Sequence, residues 1–164
     1  MVKLLGYTLA VLLAATQLPP KEGRIESVKE SKAPFASFTT YRWEKGYDAY
    51  DKSIHQTIVD AIDAELAARG FSKVTSGAAA VTVRYHTVVR TDVLLDKLDE
   101  FEKAGKVAPT KALGRLVIVM RDAADKRVWA VDTVQPVHAD PATRGRDLRE
   151  VIGRMFETYP GAKK

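Results

Sequence analysis

The sequence predicts an α+β domain, a two-layer sandwich in which a mostly antiparallel sheet of four or five strands carries helices on one face, with a short extra helix beside them. Three observations predict it. Leu116 to Met120 is an unbroken apolar run, Val128 to Val131 reads Val, Trp, Ala, Val, and the polar Asp122 to Lys126 lies between them, which is a hairpin with a turn longer than two residues. Ile54, Ile58, Ala61, Ile62 and Leu66 recur at helical spacing, and Leu148, Val151, Ile152, Met155 and Phe156 do so again near the C-terminus. Because Val117 and Val119 point opposite to Leu116, Ile118 and Met120, the first hairpin strand is expected at the centre of the sheet, covered on both sides.

Taken in order, Arg24 to Val28 alternates well enough for a short first strand, and Lys29 to Pro34 breaks it. Thr39 to Trp43 follows as a second strand, with Thr39, Tyr41 and Trp43 on one parity. Gly46 ends that segment, and Asp48 or Asp51 can cap the first helix, which closes at Gly70 with a left-handed turn clasped by Phe71. Asp60, Asp63 and Arg69 fall off its apolar stripe. The next strand has Val81, Val83, Tyr85, Thr87 and Val89 facing one way and Thr82, Arg84, His86 and Arg90 the other, the pattern of a half-solvated antiparallel strand. Thr91 or Asp92 is expected to cap a second helix reaching Lys103, with Leu94, Leu95, Leu98 and Phe101 as its stripe and Gly105 past its end. Lys106 to Gly114 is then a basic loop, Gln135 to Thr143 a proline-bearing loop, and a last helix runs from Thr143 to Thr158 before Pro160 stops it. The far face of the sheet needs partial cover, either from the helix ending at Lys103 or from a second copy of the chain.

At 164 residues, 46% hydrophobic and 29% charged, the chain fits one globular domain with a real core. Its net charge of +5 favours acidic partners, yet the cations are dispersed among 21 acids rather than clustered as nucleic-acid binders cluster them, so no nucleic acid is expected. Absence of cysteine excludes disulfides, thiolate chemistry and sulfur-ligated metals.

Lys3 followed by the apolar stretch Leu4 to Ala15 is too short for a comfortable membrane span and has the form of a signal-peptide core. The expected division is residues 1–15 as signal peptide, 16–23 as linker, 24–160 as a single domain and 161–164 as a tail. Leu13, Ala14 and Ala15 also have the form of a lipoprotein processing site, but Thr16 stands where the lipid-bearing cysteine would follow.

Phe35, Phe38, Thr40, Tyr41 and Trp43 precede an amphipathic helix ending Arg69, Gly70, Phe71; then come Ala80, Val81, Val83 and Tyr85, Asp122 with Trp129, and a terminal helix closing Tyr159, Pro160. In that order and spacing, from about Arg24 to Pro160, the chain resembles the bacterial lipoprotein family called domain of unknown function 4136. The resemblance implies an envelope location, in the periplasm or at the outer membrane, and an α+β fold. It brings no catalytic residues. The missing anchor cysteine and the charged Asp92 to Lys103 segment depart from the family pattern.

Candidate chemistry is sparse. His55, His86 and His138 show no i, i+2 or i, i+4 pairing of the kind that builds a metal site, so no metal is expected. Asp60 with Asp63, and Asp96 with Asp99 and Glu100, lie one helical turn apart and read as solvated faces, although converging carboxylates would suit acid–base work. No serine sits in a nucleophile elbow and no glycine run cradles a phosphate, so no cofactor is expected. The candidate ligand or partner surface is Arg84, His86 and Arg90 as cations on one strand face, with Tyr41 and Trp43 as amphipathic aromatics. Arg144, Arg146, Arg149 and Arg154 add cations on the last helix. Trp129 is expected in the core. The function these features favour is a non-catalytic envelope binding or assembly module, with an envelope protein or an anionic lipid or glycan as partner, and with homodimerisation through the sheet face. The alternative is an envelope hydrolase using clustered carboxylates.

Overall fold

The computed structural model describes residues 22–161, so the expected signal segment and most of the linker lie outside the described residues. Six strands form one mixed sheet: β1 (Ile25–Lys29), β2 (Thr40–Trp43), β3 (Ser72–Lys73), β4 (Val81–Val93), β5 (Thr110–Asp122) and β6 (Arg127–Pro136). Their spatial order is β1-β6-β5-β4-β2-β3. The central hairpin is β5–β6, closed by Asp122 to Lys126, where Asp125 takes a positive φ of 58° and the Asp122 carboxylate accepts from the N–H groups of Ala124 and Lys126. Near its closed end β6 carries one extra residue, Val128, between the Met120–Trp129 and Arg121–Arg127 pairs, and both Val128 and Trp129 join the buried core.

The sheet departs from the expected four or five mostly antiparallel strands in two ways. β2 pairs parallel with both β3 and β4. A helix follows β2, and a strand–helix–strand unit that returns to its own sheet does so by a crossover, which leaves the strands parallel. β3 is only two residues long, too short to leave a periodic trace.

Helix α1 (Lys52–Ala67) is capped by Asp51, whose carboxylate accepts from the N–H groups of Ser53 and Ile54. At its far end Gly70, with φ +82°, lets the Phe71 N–H reach the Leu66 carbonyl at 3.1 Å, which satisfies an orphan carbonyl and folds Phe71 back onto the core. Helix α3 (Pro141–Phe156) begins two residues earlier than its sequence pattern suggests, because Asp140 caps it through the Thr143 N–H and Pro141 fits its first turn.

The expected helix from Asp92 to Lys103 does not form as such. β4 continues to Val93 and β5 starts at Thr110, so Thr91, Asp92 and Val93 pair with Ala112, Lys111 and Thr110. What remains is a single 3-10 turn and the six-residue α2 (Leu98–Lys103) at the tip of a long β4–β5 arm. A ladder already running through Val89 gains one more pair per residue, whereas a new helix must bear its own nucleation cost. The Lys106 to Gly114 loop is shortened accordingly.

Both long helices lie on the sheet face that carries Val83, Tyr85, Ile118, Met120, Trp129 and Val131, and their buried residues close the core over it. α2 makes no comparable contact, so the other face, with His86, Val117 and Asp132 side by side across three strands, has no helix over it among the described residues. Of the two covers expected for this face, the Asp92–Lys103 segment or a second copy of the chain, the first is ruled out. The open face also corrects the expectation that β5 is covered on both sides, because Val117 and Val119 remain partly exposed.

Candidate functional site

The five residues of the expected surface do not come together. Tyr41 and Trp43 face the helices: the Tyr41 hydroxyl donates to Asp63 Oδ1 at 2.6 Å and Trp43 Nε1 donates to the same oxygen at 2.8 Å, while Lys73 holds Oδ2 at 2.8 Å. Burial, and then the Asp63 carboxylate, push the Tyr41 phenol above its ordinary range, so it stays a proton donor. This cluster pins α1 to β2 and β3. It also gives Asp63 a structural task rather than the acid–base role its spacing from Asp60 allowed; Asp60 accepts from Gln56 at the surface.

Arg84, His86 and Arg90 share the opposite face, each engaged with a neighbour. Arg84 pairs with Glu44 at 2.6 Å, and Arg90 with Asp92 at 3.1 Å. His86 Nδ1 accepts the Tyr47 N–H at 3.1 Å, and burial, reinforced by Arg84, holds the imidazole below its usual pKa, so it is a neutral acceptor. The expected cation surface is therefore largely neutralised. Arg69, off the helical stripe in sequence, is buried: it donates to the Glu65 carbonyl at 2.9 Å and to the Phe156 carbonyl at 2.7 Å, with its guanidinium 5.2 Å from the Phe156 ring centre.

Arg69 joins the last turn of α1 to the last turn of α3, and at the other end Arg144, at the start of α3, lies near enough to Asp51, the α1 cap, to help hold that carboxyl low. The helices thus run side by side in one direction, with both N-termini at the same end of the domain. A 16-residue helix spans about 24 Å, whereas a 13-residue strand spans roughly 43 Å. β4 and β5 consequently outrun the helices that cover them. Along the inward parity of β4, Val81, Val83 and Tyr85 are buried, Thr87 is half-buried and Val89 is 61% exposed.

Where cover runs out there is an open cavity of about 500 Å³. Ile58, Leu116, Thr133 and Val151 form its floor as the last buried residues of the core; Ile54, Val89, Val137 and Leu148 form its walls. One wall depends on the Gly46 to Asp51 loop, which is held by Tyr85: its hydroxyl accepts the Ala49 N–H at 2.9 Å and is 2.6 Å from His55 Nδ1. Gly46 is obligatory there, because a Cβ would lie 1.8 Å from the Tyr85 carbonyl oxygen. The charged rim is Asp48, Asp51, Asp147, His138 and Arg144. The segment Gln135 to Thr143, notable in sequence for its prolines, supplies Gln135, Pro136, Val137 and His138 to this site; the remaining lining residues come from segments too far apart in sequence to be grouped by spacing.

Two of the rim carboxylates are already engaged: Asp51 caps α1, and Asp147 lies 3.4 Å from both His138 and Arg146. Asp51 is held low, first by the Ser53 hydroxyl and then by the Ile54 and Ser53 N–H groups. Among the described residues no three His, Asp or Glu side chains are grouped to hold a metal ion, and no helix is long and apolar enough to cross a membrane.

The molecule is thus an α+β protein with a one-sided helical layer and an open apolar cavity at the shared N-terminal end of its helices. Residues 25–161 match the family model described as a domain of unknown function (DUF4136), and the chain belongs to that family. No curated protein matches it. Among solved structures it is similar to a PDZ domain protein from Parabacteroides distasonis, with a TM-score of 0.59 and 14% identity over 85% of this chain, and spans 36% of that longer protein. It is also similar to PelC from Paraburkholderia phytofirmans, described as a dodecamer, with a TM-score of 0.53 and 7% identity over 80% of this chain and 93% of that one. At such identities the likeness is one of fold.

Proposed function

We propose that the chain is a non-catalytic binding module of the bacterial cell envelope and that the cavity at the end of the helix pair is where it binds. The observation that carries this reading is a concave site whose floor and walls are mainly apolar and whose rim carboxylates Asp51 and Asp147 are engaged, one as the α1 cap and the other with His138 and Arg146, rather than set facing each other. A hydrolase would need two carboxyl groups with environments that push their pKa values apart. The envelope location rests on the apolar Leu4 to Ala15 segment and on the family resemblance. Native mass spectrometry of the protein isolated from periplasm tests the whole reading. The expected result is a chain beginning at Thr16 that carries a small-molecule adduct, lost on denaturation. A cytoplasmic, full-length chain contradicts the location, and an adduct-free spectrum contradicts the binding role.

A second reading, assembly of copies through the open sheet face, is favoured by one observation. No helix covers that face among the described residues, and Val28 and Val88 on it are 49% and 63% exposed. The fold neighbour PelC is described as a dodecamer. Light scattering decides: a monomer whose mass is unchanged by Val88→Asp removes this reading.

A further inference from the structure

We infer that the cavity takes an amphiphile with an apolar body and a single anionic head, the head held by Arg144. The inference rests on the reading of the chain as a binding module and adds the chemistry of what is bound. A cavity of about 500 Å³ falls within the ordinary range of small-molecule sites, and its floor and walls, from Ile58 and Leu116 to Val89 and Leu148, are mainly apolar, with two of the polar side chains among them, Thr133 and Gln135, bonded to each other. Selectivity must therefore come from the rim.

Each charged group on the rim has a partner except two. Asp51 is spent on the α1 cap, accepting the Ser53 N–H, the Ser53 hydroxyl and the Ile54 N–H. Asp147 is shared by His138 at 3.4 Å and Arg146 at 3.4 Å. Arg115 lines the cavity, but its guanidinium pairs with Asp132 on the other face of the sheet. Asp48 is exposed on its loop. The Arg144 side chain makes no hydrogen bond and no close ion pair among the described residues; the Asp51 carboxylate attracts it from farther off but is already held by three donors. Its guanidinium therefore keeps donors free for a ligand, and a carboxylate or phosphate oxygen is the acceptor that a guanidinium bonds best. The first turns of α1 and α3, both on the rim, add a positive potential of the same sign.

Isothermal titration of the full-length protein with dodecanoate, dodecyl phosphate, dodecanol and dodecyltrimethylammonium, each below its micelle concentration, tests this. The expected result is one site that prefers an anionic amphiphile over dodecanol by about tenfold or more, the factor expected of one charge-assisted contact. Arg144→Gln brings the anion down to the level of dodecanol, and Val89→Asp, at a position 61% exposed and with folding checked by its urea midpoint, abolishes binding of all four. The two anions distinguish a carboxylate from a phosphate head. Phosphatidylglycerol vesicles distinguish a free amphiphile from a membrane lipid, and binding to vesicles alone overturns the proposal. Equal or tighter binding of the cationic amphiphile shows that Asp48 and Asp147 outweigh Arg144, and so overturns the ligand class while leaving the binding module intact. Absence of binding by all four overturns it also, and the native mass spectrum then says whether the module reading falls with it.

Discussion

The two ends of the parallel helix pair are built from opposite materials. At the C-terminal end, Arg69 ties α1 to α3, and Trp129 packs 5.1 Å from Phe156 and 5.4 Å from Tyr159, ring centre to ring centre. Burial pushes the Tyr159 phenol up to about 12, which marks how thoroughly water is excluded there. At the N-terminal end the same sheet continues without cover and the side chains that would close it are valine, leucine and isoleucine facing an open space. One end is where the fold gets its stability; the other is where apolar surface is left available. The difference comes from length, since strands that outrun their helices must leave inward-facing positions bare.

That contrast can be broken most easily at the closed end. Trp129→Ala should cost about 3–5 kcal/mol in a urea titration, the range for a large core aromatic. A loss below about 1 kcal/mol would mean the ring is not the keystone its burial suggests. Arg69→Met should follow at about 1.5–3 kcal/mol, because it removes charge-assisted bonds to the Phe156 carbonyl and to Glu65 from a buried position. The open end should respond differently. Val89→Ser is expected to stay within about 0.5 kcal/mol of the parent, and a larger loss would place Val89 in the core rather than on a cavity wall.

The smallest effect concerns pH. His86 has a folded pKa below the ordinary 6.5, from burial and then from Arg84, so the unfolded chain binds the proton more readily. Its contribution is fully present above pH 6.5 and is lost as pH falls through the folded value. The unfolding midpoint should therefore drop slightly between pH 7 and pH 5, and the drop should shrink in His86→Gln. An unchanged pH dependence in that variant would show that other groups carry the effect.

Local periodicity was enough to locate α1, α3 and the β5–β6 hairpin and to bury Trp129, because each of these is specified by residues within one or two turns or pairs. Asp51 as a cap and Gly70 as a left-handed stop were readable for the same reason. What local signals missed depends on distant partners. Thr91 and Asp92 have the composition of a helix cap, but Lys111 and Ala112 lie opposite and extend the ladder. Arg69 is polar and off the stripe, and only the arrival of Phe156 from a remote segment makes its burial favourable. Tyr41 and Trp43 were singled out for their polar edges, and those edges do find a partner, Asp63, inside the fold. The cavity is beyond the reach of local signals because its walls meet only after both helices and three strands are placed; the proline-bearing segment at the end of β6 and the cation Arg144 are the parts of it that sequence singles out.

The claim at the centre of this account is that the open end is a binding site and the closed end is not. The most direct test is the urea midpoint measured with and without dodecanoate, in the parent and in Val89→Asp. A ligand that binds only the native state at one hundred times its Kd should stabilise the parent by about 2.7 kcal/mol and leave Val89→Asp unmoved. Equal stabilisation of both proteins, or of neither, would contradict the claim.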